Sequence, residues 1–536
     1  MQIHKTRRLA LETLDQRRML SVNAELFLDI NEGAGSGLEN SFGWVEFDGH
    51  FYFPADDGIN GMELWRSDGT VEGTEMVADI NQLADPNPFS QADSDGSFPT
   101  GLVVYNDEVY FAATDELGDE LWKTDGTEAG TVRVRDIWEG GGSSFPTALT
   151  VFNDNLYFSA GTADDGDELW QSDGTEAGTV LLADISPGQV SSLPFEFYVF
   201  NDELFFQAIP SGDSGPELFK TDGTTEGTTL VSNINPVADL GSFPEAFFEF
   251  NGELYFSAAD GVTADNNFST HIYTTDGTEA GTVRIADERL TFNLLNQPNV
   301  TVLNDHIYFG GFANGLAELY RTDGTAGNSE RVVTADVVSV PAELAVVNGE
   351  LFFAGNDDDT GRQLWKTNGE VGEENNTVRV TEIDRGGFGL FPSELREFNG
   401  DLIFNGHNGT DTFQVWRTDG TEVEQLTDYT ENALSESFNL FFEFGDTLFF
   451  RGPGQEEGLE LWAITSDAPP LLDGDVDGNG AVEFADFLIL STNFGGPAES
   501  RDEGDLDGDG NVTFADFLIL SQNFGRSADL ALADWA

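Results

Sequence analysis

Two short stretches in the C-terminal part of the chain have the residue types and spacing that metal chemistry needs. The first reads Asp475-Val476-Asp477-Gly478-Asn479-Gly480-Ala481-Val482-Glu483-Phe484-Ala485-Asp486. The second, starting at Asp505, reads Asp505-Leu506-Asp507-Gly508-Asp509-Gly510-Asn511-Val512-Thr513-Phe514-Ala515-Asp516. Both place side-chain oxygens at positions 1, 3 and 5, glycine at 6, a backbone carbonyl at 7, an oxygen at 9 and a carboxylate at 12. That is the donor order of a loop wrapped around Ca²⁺, a hard cation that prefers oxygen. The candidate ligands for two Ca²⁺ ions are Asp475, Asp477, Asn479, Ala481, Glu483 and Asp486, and Asp505, Asp507, Asp509, Asn511, Thr513 and Asp516. The plain alternative, two ordinary Asp-Gly turns, does not explain why the whole pattern occurs twice. Each loop leads into an apolar segment, FLILSTNFG or FLILSQNFG, that reads as a short helix.

Elsewhere the chain is poor in catalytic patterns. The five histidines (His4, His50, His271, His306, His407) are scattered without ligand spacing. GxSxG, HExxH and phosphate-loop motifs do not occur. The absence of cysteine excludes thiolate metal sites and disulfides. With 98 Asp+Glu against 23 Lys+Arg, the net charge of −75 excludes non-specific binding to nucleic acid, which needs cations against phosphate. It points to a saline or calcium-rich setting where self-repulsion is screened. No apolar run reaches the roughly 18 residues of a membrane helix. A hydrophobic fraction of 39% is globular composition.

The elements that must position these residues follow from a repeat. ELWKTDGTEAGT, ELWQSDGTEAGT and ELFKTDGTTEGT recur with weaker copies. The motif aromatic is Trp65, Trp122, Trp170, Phe219, Tyr273, Tyr320, Trp365, Trp416 and Trp462, at a period of about 50 residues. Length alone suggests three or four domains, and the repeat replaces that reading. The second cassette parses into strands at 100–105, 108–113, 120–124 and 131–137. Asn-Asp or Asn-Gly turns between apolar runs mark antiparallel hairpins. Four short strands per repeat describe a β-propeller blade. The ninth cassette lacks its fourth strand, whereas residues 24–30 read as a fourth strand with no blade before it. The expected fold is therefore all-β, a single β-propeller of about nine four-stranded blades closed by the N-terminal strand. Closure removes the exposed edges of an open array. The paired calcium loops add a small α-helical module.

A residue present in every blade is architectural before it is catalytic. The motif aromatics are expected between blades, and the Asp of DGT is expected to hold its own turn. Stacking on sugar and calcium binding are the respective alternatives. The Glu of ELW (Glu63, Glu120, Glu168, Glu217, Glu318, Glu460) reads as a solvated or backbone-bonded strand residue. The loops joining strands two and three, and those between blades, open on one face and vary. A propeller ligand, glycan or surface protein, is expected on that variable face.

The repeat resembles the ELWxxDGT-repeat family of secreted bacterial proteins, a family defined by sequence rather than activity. The duplicated loop-plus-helix segment looks like a type I dockerin with EF-hand-like loops. That resemblance implies Ca²⁺-dependent folding and docking to a cohesin-like partner. Positions 10 and 11, which read the partner in many dockerins, are here Phe484-Ala485 and Phe514-Ala515, so the phenylalanines read either as partner-facing or as core. Leu11-Glu12-Thr13-Leu14-Asp15-Gln16-Arg17-Arg18-Met19-Leu20-Ser21 is similar to an N-terminal motif of the LEPR-XLL type found on surface and secreted proteins of some aquatic bacteria, with Thr13 in place of its proline. The expected organisation is a leader at 1–23, the propeller at 24–465, a linker at 466–472, the dockerin at 473–526 and a tail at 527–536. The function implied is a secreted or surface-associated, non-enzymatic binding or scaffold module. The alternative is a secreted polysaccharide hydrolase or lyase delivered by its dockerin.

Overall fold

The computed structural model describes residues 22–466 apart from 32–34, 39–42, 82–95, 214, 236–239, 263–267, 293–298, 314, 335–337, 358, 373–375, 384–388, 410–411, 430–440 and 454–457, and beyond these 474, 476, 482, 484–496, 504, 506 and 511–524. The LEPR-XLL-like segment and the linker from 467 onward lie outside the described residues. By contacts, the chain divides into a unit at 24–463 and a unit that includes 464–536.

The first unit is a β-propeller of nine blades, each built on four antiparallel strands. Blade 2 shows the plan, with strands Thr100–Tyr105, Glu108–Asp115, Gly118–Thr124 and Val132–Arg135 in that order across the sheet. Blade 6 carries an additional short strand, Arg289–Leu290, paired to His306–Ala313. The ninth blade takes its outer strand, Val22–Leu28, from the other end of the chain, beside Leu459–Ser466. The ring is thus closed by the N-terminal strand.

Local chemistry sets each turn. Asn106 and Asp107 both lie at left-handed φ (49° and 57°), the conformation a two-residue hairpin of matched twist requires. In the DGT turn of blade 2, Asp125 Oδ1 accepts from the Thr127 N–H at 2.9 Å and its Oγ1–H at 2.6 Å. These bonds hold the Asp125 carboxyl below its usual range.

The core lies between blades. Trp122 packs against Tyr52, Leu64 and Val77 of blade 1, and Trp170 against Tyr105, Leu121 and Val134 of blade 2. The seam is closed by Phe51 and Phe53 of blade 1 against Phe449, Leu461 and Phe27. Blades 8 and 9 meet where Tyr429 stands edge-on to Trp462 at 5.3 Å. Opposite the motif aromatic in register is a phenylalanine of the second strand, such as Phe111 against Trp122 and Phe404 against Trp416, and both phenylalanines are fully buried. Each such side chain contributes about 1.5–3 kcal/mol through burial. The first strands of successive blades approach one another, which makes them the inner strands around the central axis.

In the C-terminal unit, helix α1 is Phe484–Asn493 and helix α2 is Phe514–Asn523. Leu490 and Leu520 bury against Val476, Val482 and Val512.

Candidate metal centre and binding face

Four of the twelve expected calcium ligands fall on described residues: Asp486, Asn511, Thr513 and Asp516. Asp475, Asp477, Asn479, Ala481, Glu483, Asp505, Asp507 and Asp509 lie outside them. Asp486 and Asp516 are fully buried. Each stands third in its helix and reaches back across its loop. Asp486 Oδ1 accepts from the Val476 N–H at 2.7 Å, and Asp516 Oδ1 accepts from the Leu506 N–H at 2.7 Å. Asp516 Oδ2 also accepts from the Thr513 N–H, while Thr513 Oγ1 accepts from Ala515, a capping box at the start of α2. The last ligand position therefore fastens the second residue of the loop to the helix.

The two halves interlock. Gly474 and Gly504 precede the loops at φ 98° and 100°. A Cβ on Gly474 would lie 2.9 Å from Leu520 Cα, and one on Gly504 would lie 2.9 Å from Leu490 Cα. Neither glycine was singled out by spacing, although both occur one residue before the first Asp. The two described carboxylates, Asp486 and Asp516, are buried and already hydrogen-bonded to their loops, and oxygen donors of this kind fit Ca²⁺. When bound, the ion would supply positive charge to the loop carboxylates and tie loop folding to helix docking.

The structure also decides between the two readings of the phenylalanines. Phe484 and Phe514 are each 62% exposed, so they are outside the core. Leu488 and Phe494 repeat this exposure after Phe484, as Leu518 and Phe524 do after Phe514. The module presents the same apolar pattern twice.

Residues 473–525 match the family model described as Dockerin type I domain. The C-terminal segment is a type I dockerin domain. A dockerin of this type is a calcium-binding, cohesin-docking module, and its match stops short of the propeller. No curated protein matches the chain. Among solved structures, a puromycin hydrolase aligns at 12% identity and TM-score 0.33, covering 70% of this chain and 59% of that one. A structure from a study of two prolyl endopeptidases aligns at 13% identity and TM-score 0.35, covering 71% of this chain and 54% of that one. The chain thus spans less than two thirds of these proteins.

In the propeller, the ELW glutamates Glu63, Glu120, Glu168, Glu217 and Glu460 are buried and backbone-bonded rather than solvated, while Glu318 is buried and accepts from Tyr320 Oη–H and the Arg331 guanidinium. Glu168 Oε2 accepts from the Ile185 N–H at 2.7 Å and from Ser192 Oγ–H at 2.6 Å, and Oε1 accepts from the N–H groups of Ser186 and Ser192. It staples the connection that leaves its own blade to the residue that enters the next. Glu120 does the same with Ile137, Trp138 and Ser144. Glu460 bonds Ile30 at 2.8 Å and Gly37 at 2.7 Å, which carries the staple across the closure of the ring. Burial raises Glu63, Glu168, Glu217 and Glu460 to about 7, against the hydrogen bonds that lower them. In blades 7 and 8 the position holds Gln363 and Gln414. Gln363 Nε2 donates to the Thr360 and Ile383 carbonyls, while its Oε1 accepts from Thr381 Oγ1–H.

The staple holds a strained residue next to it. Phe98, Phe145, Leu193 and Phe243 each follow the stapled serine, precede proline, and lie at φ between 48° and 50°. A bulky residue pays for that conformation, and a following proline disfavours it further. All four are exposed at the start of inner strands, on the variable face around the axis. The signal in sequence is the recurring Ser-Phe-Pro or Ser-Leu-Pro tripeptide just before the first strand of each of these blades.

Proposed function

We propose that this protein is a secreted or surface-associated binding and scaffold module, attached through its dockerin to a cohesin-like domain on another protein. The dockerin match carries the reading. The duplicated exposed pattern of Phe484 and Leu488 with Phe514 and Leu518 supports docking by an apolar contact. Two Ca²⁺ ions would be held, one by Asp475, Asp477, Asn479, Ala481, Glu483 and Asp486, the other by Asp505, Asp507, Asp509, Asn511, Thr513 and Asp516. The ELWxxDGT resemblance and the acidic surface support an extracellular site of action. The arc of exposed apolar residues Phe98, Phe145, Leu193 and Phe243, at the entries to blades 2 to 5, supports a binding role for the variable face. The test is chelation of the full-length chain. EGTA is expected to make the segment 473–526 protease-sensitive while the propeller stays resistant, and to abolish capture by an immobilised cohesin-type domain. Protease resistance and capture that are unchanged in EGTA would refute the reading.

A further inference from the structure

Arg362 is an outlier in a chain whose net charge is −75. It stands just before Gln363 on the third strand of blade 7, Gly361–Thr367, where blades 2 and 3 carry Asp119 and Asp167. It is only 7% exposed. Its guanidinium lies between the entries to blades 7 and 8. Nη1 donates to the Val340 carbonyl at 3.3 Å, and the group stands 6.0 Å from the centre of the Phe391 ring. Like Phe98, Val340 and Phe391 are held at left-handed φ, 52° and 56°, before Pro341 and Pro392. Nε is buried without a hydrogen-bond partner, and no carboxylate among the described residues reaches ion-pair distance of the guanidinium. The carboxylate whose charge acts on it from further away is Glu343. Glu343 serves the backbone of the next blade. It lies in the bulge of its inner strand at φ 56° and accepts from the Glu394 N–H of blade 8 at 3.1 Å, as Glu196 of blade 4 accepts from the Ala246 N–H of blade 5. Burial holds the Arg362 pKa below its ordinary value, against the pull of Glu343.

A buried charge is ordinarily paired, because leaving water without a partner is costly. We propose that Arg362 anchors an anion site on the variable face between blades 7 and 8, and that its ligand is a small organic monocarboxylate with an apolar body. The Nε edge of a guanidinium presents N–H groups in the fork that a carboxylate matches. Val340, 41% exposed, and the half-buried Phe391 supply apolar walls beside it. The negative field of the protein repels an anion in proportion to its charge, which favours a single carboxylate over a phosphate dianion. The inference rests on the variable face being the binding face, and it is independent of the dockerin.

The experiment melts the full-length chain in phenylacetate, in its neutral amide phenylacetamide, or in inorganic phosphate, with ionic strength matched by sodium chloride. Phenylacetate is expected to raise the propeller melting temperature, and the amide and phosphate to leave it unmoved. R362M removes an unpaired buried charge, so without ligand it is expected to melt no lower than the parent, and it is expected to lose the phenylacetate shift. R362K keeps the charge without the fork and is expected to bind phenylacetate roughly tenfold more weakly in calorimetric titration. No shift in the parent, an equal shift in R362M, an equal shift with phenylacetamide or phosphate, or an R362M chain melting well below the parent would overturn the site. Capture by a cohesin-type domain is expected to be unchanged in R362M, so failure of the site leaves the docking reading standing.

Discussion

At the residue scale, one motif position does different work from that of its neighbours. The ELW glutamate accepts from donors only, whereas Gln363 and Gln414 both accept and donate. The two residue types are therefore not interchangeable. Glu168→Gln would set an amide N–H₂ against N–H and hydroxyl donors, and is expected to cost about 1–3 kcal/mol. Gln363→Glu would set a carboxylate oxygen against the Thr360 and Ile383 carbonyls, with a similar loss. Chemical denaturation of each variant measures this, and a change within about 0.5 kcal/mol in both would contradict it. The glutamates also give stability a pH dependence. Their folded values, about 7, lie above the ordinary value of 4.5, so the folded state binds protons that the unfolded state releases. Stability from this source is complete below about pH 4.5 and is lost as pH rises toward 7. The propeller melting temperature, measured in high salt to screen the surface charge, is expected to fall between pH 5 and 7.5. A rise across that window would count against the buried glutamates as its source. Sequence reading allowed backbone bonding for these residues but could not place their partners. Ser192 is 24 residues from Glu168, and only the blade geometry brings them together.

At the element scale, helices α1 and α2 separate stability from recognition. Asp486 and Asp516 point inward, while Phe484 and Phe514 point out. F484S/F514S is accordingly expected to leave the calcium-dependent circular dichroism within about 0.5 kcal/mol of the parent. It is also expected to abolish capture by a cohesin-type domain. Capture that survives in this variant would move the docking contact elsewhere. The helices themselves were legible, because an apolar run follows each loop and Asp at the third helical position is a capping residue. Which side of the helix each phenylalanine took was not legible, since FADFLIL is apolar nearly all round.

At the scale of the whole molecule, the ring depends on Val22–Leu28. This strand covers the edge of Leu459–Ser466, and Phe27 meets Phe449 edge-on at 5.1 Å. Deleting residues 22–28 would expose that edge and uncover the seam between blades 9 and 1. The expected outcome is loss of a discrete monomer in size-exclusion chromatography and a lower melting temperature, because unpaired strand edges recruit other chains. An unchanged elution volume and melting temperature would show that the ring closes without it. The charge of −75 belongs to this scale as well, since most of the acids recur with the blade in turns and loops.

The sequence by itself determined the repeat, the strand order within a blade, the turn types, the split ninth blade and the two calcium-loop patterns. All of these are local signals, carried by residues within one cassette or one loop. That Glu63, Glu120, Glu168, Glu217 and Glu460 are buried staples, that Phe98, Phe145, Leu193 and Phe243 are held strained and exposed, and that Glu196 faces blade 5 emerges only in the tertiary structure. Each of those facts depends on residues from two connected segments or two blades meeting in space. Burial and charge coupling are properties of that meeting, and no spacing along one strand encodes them.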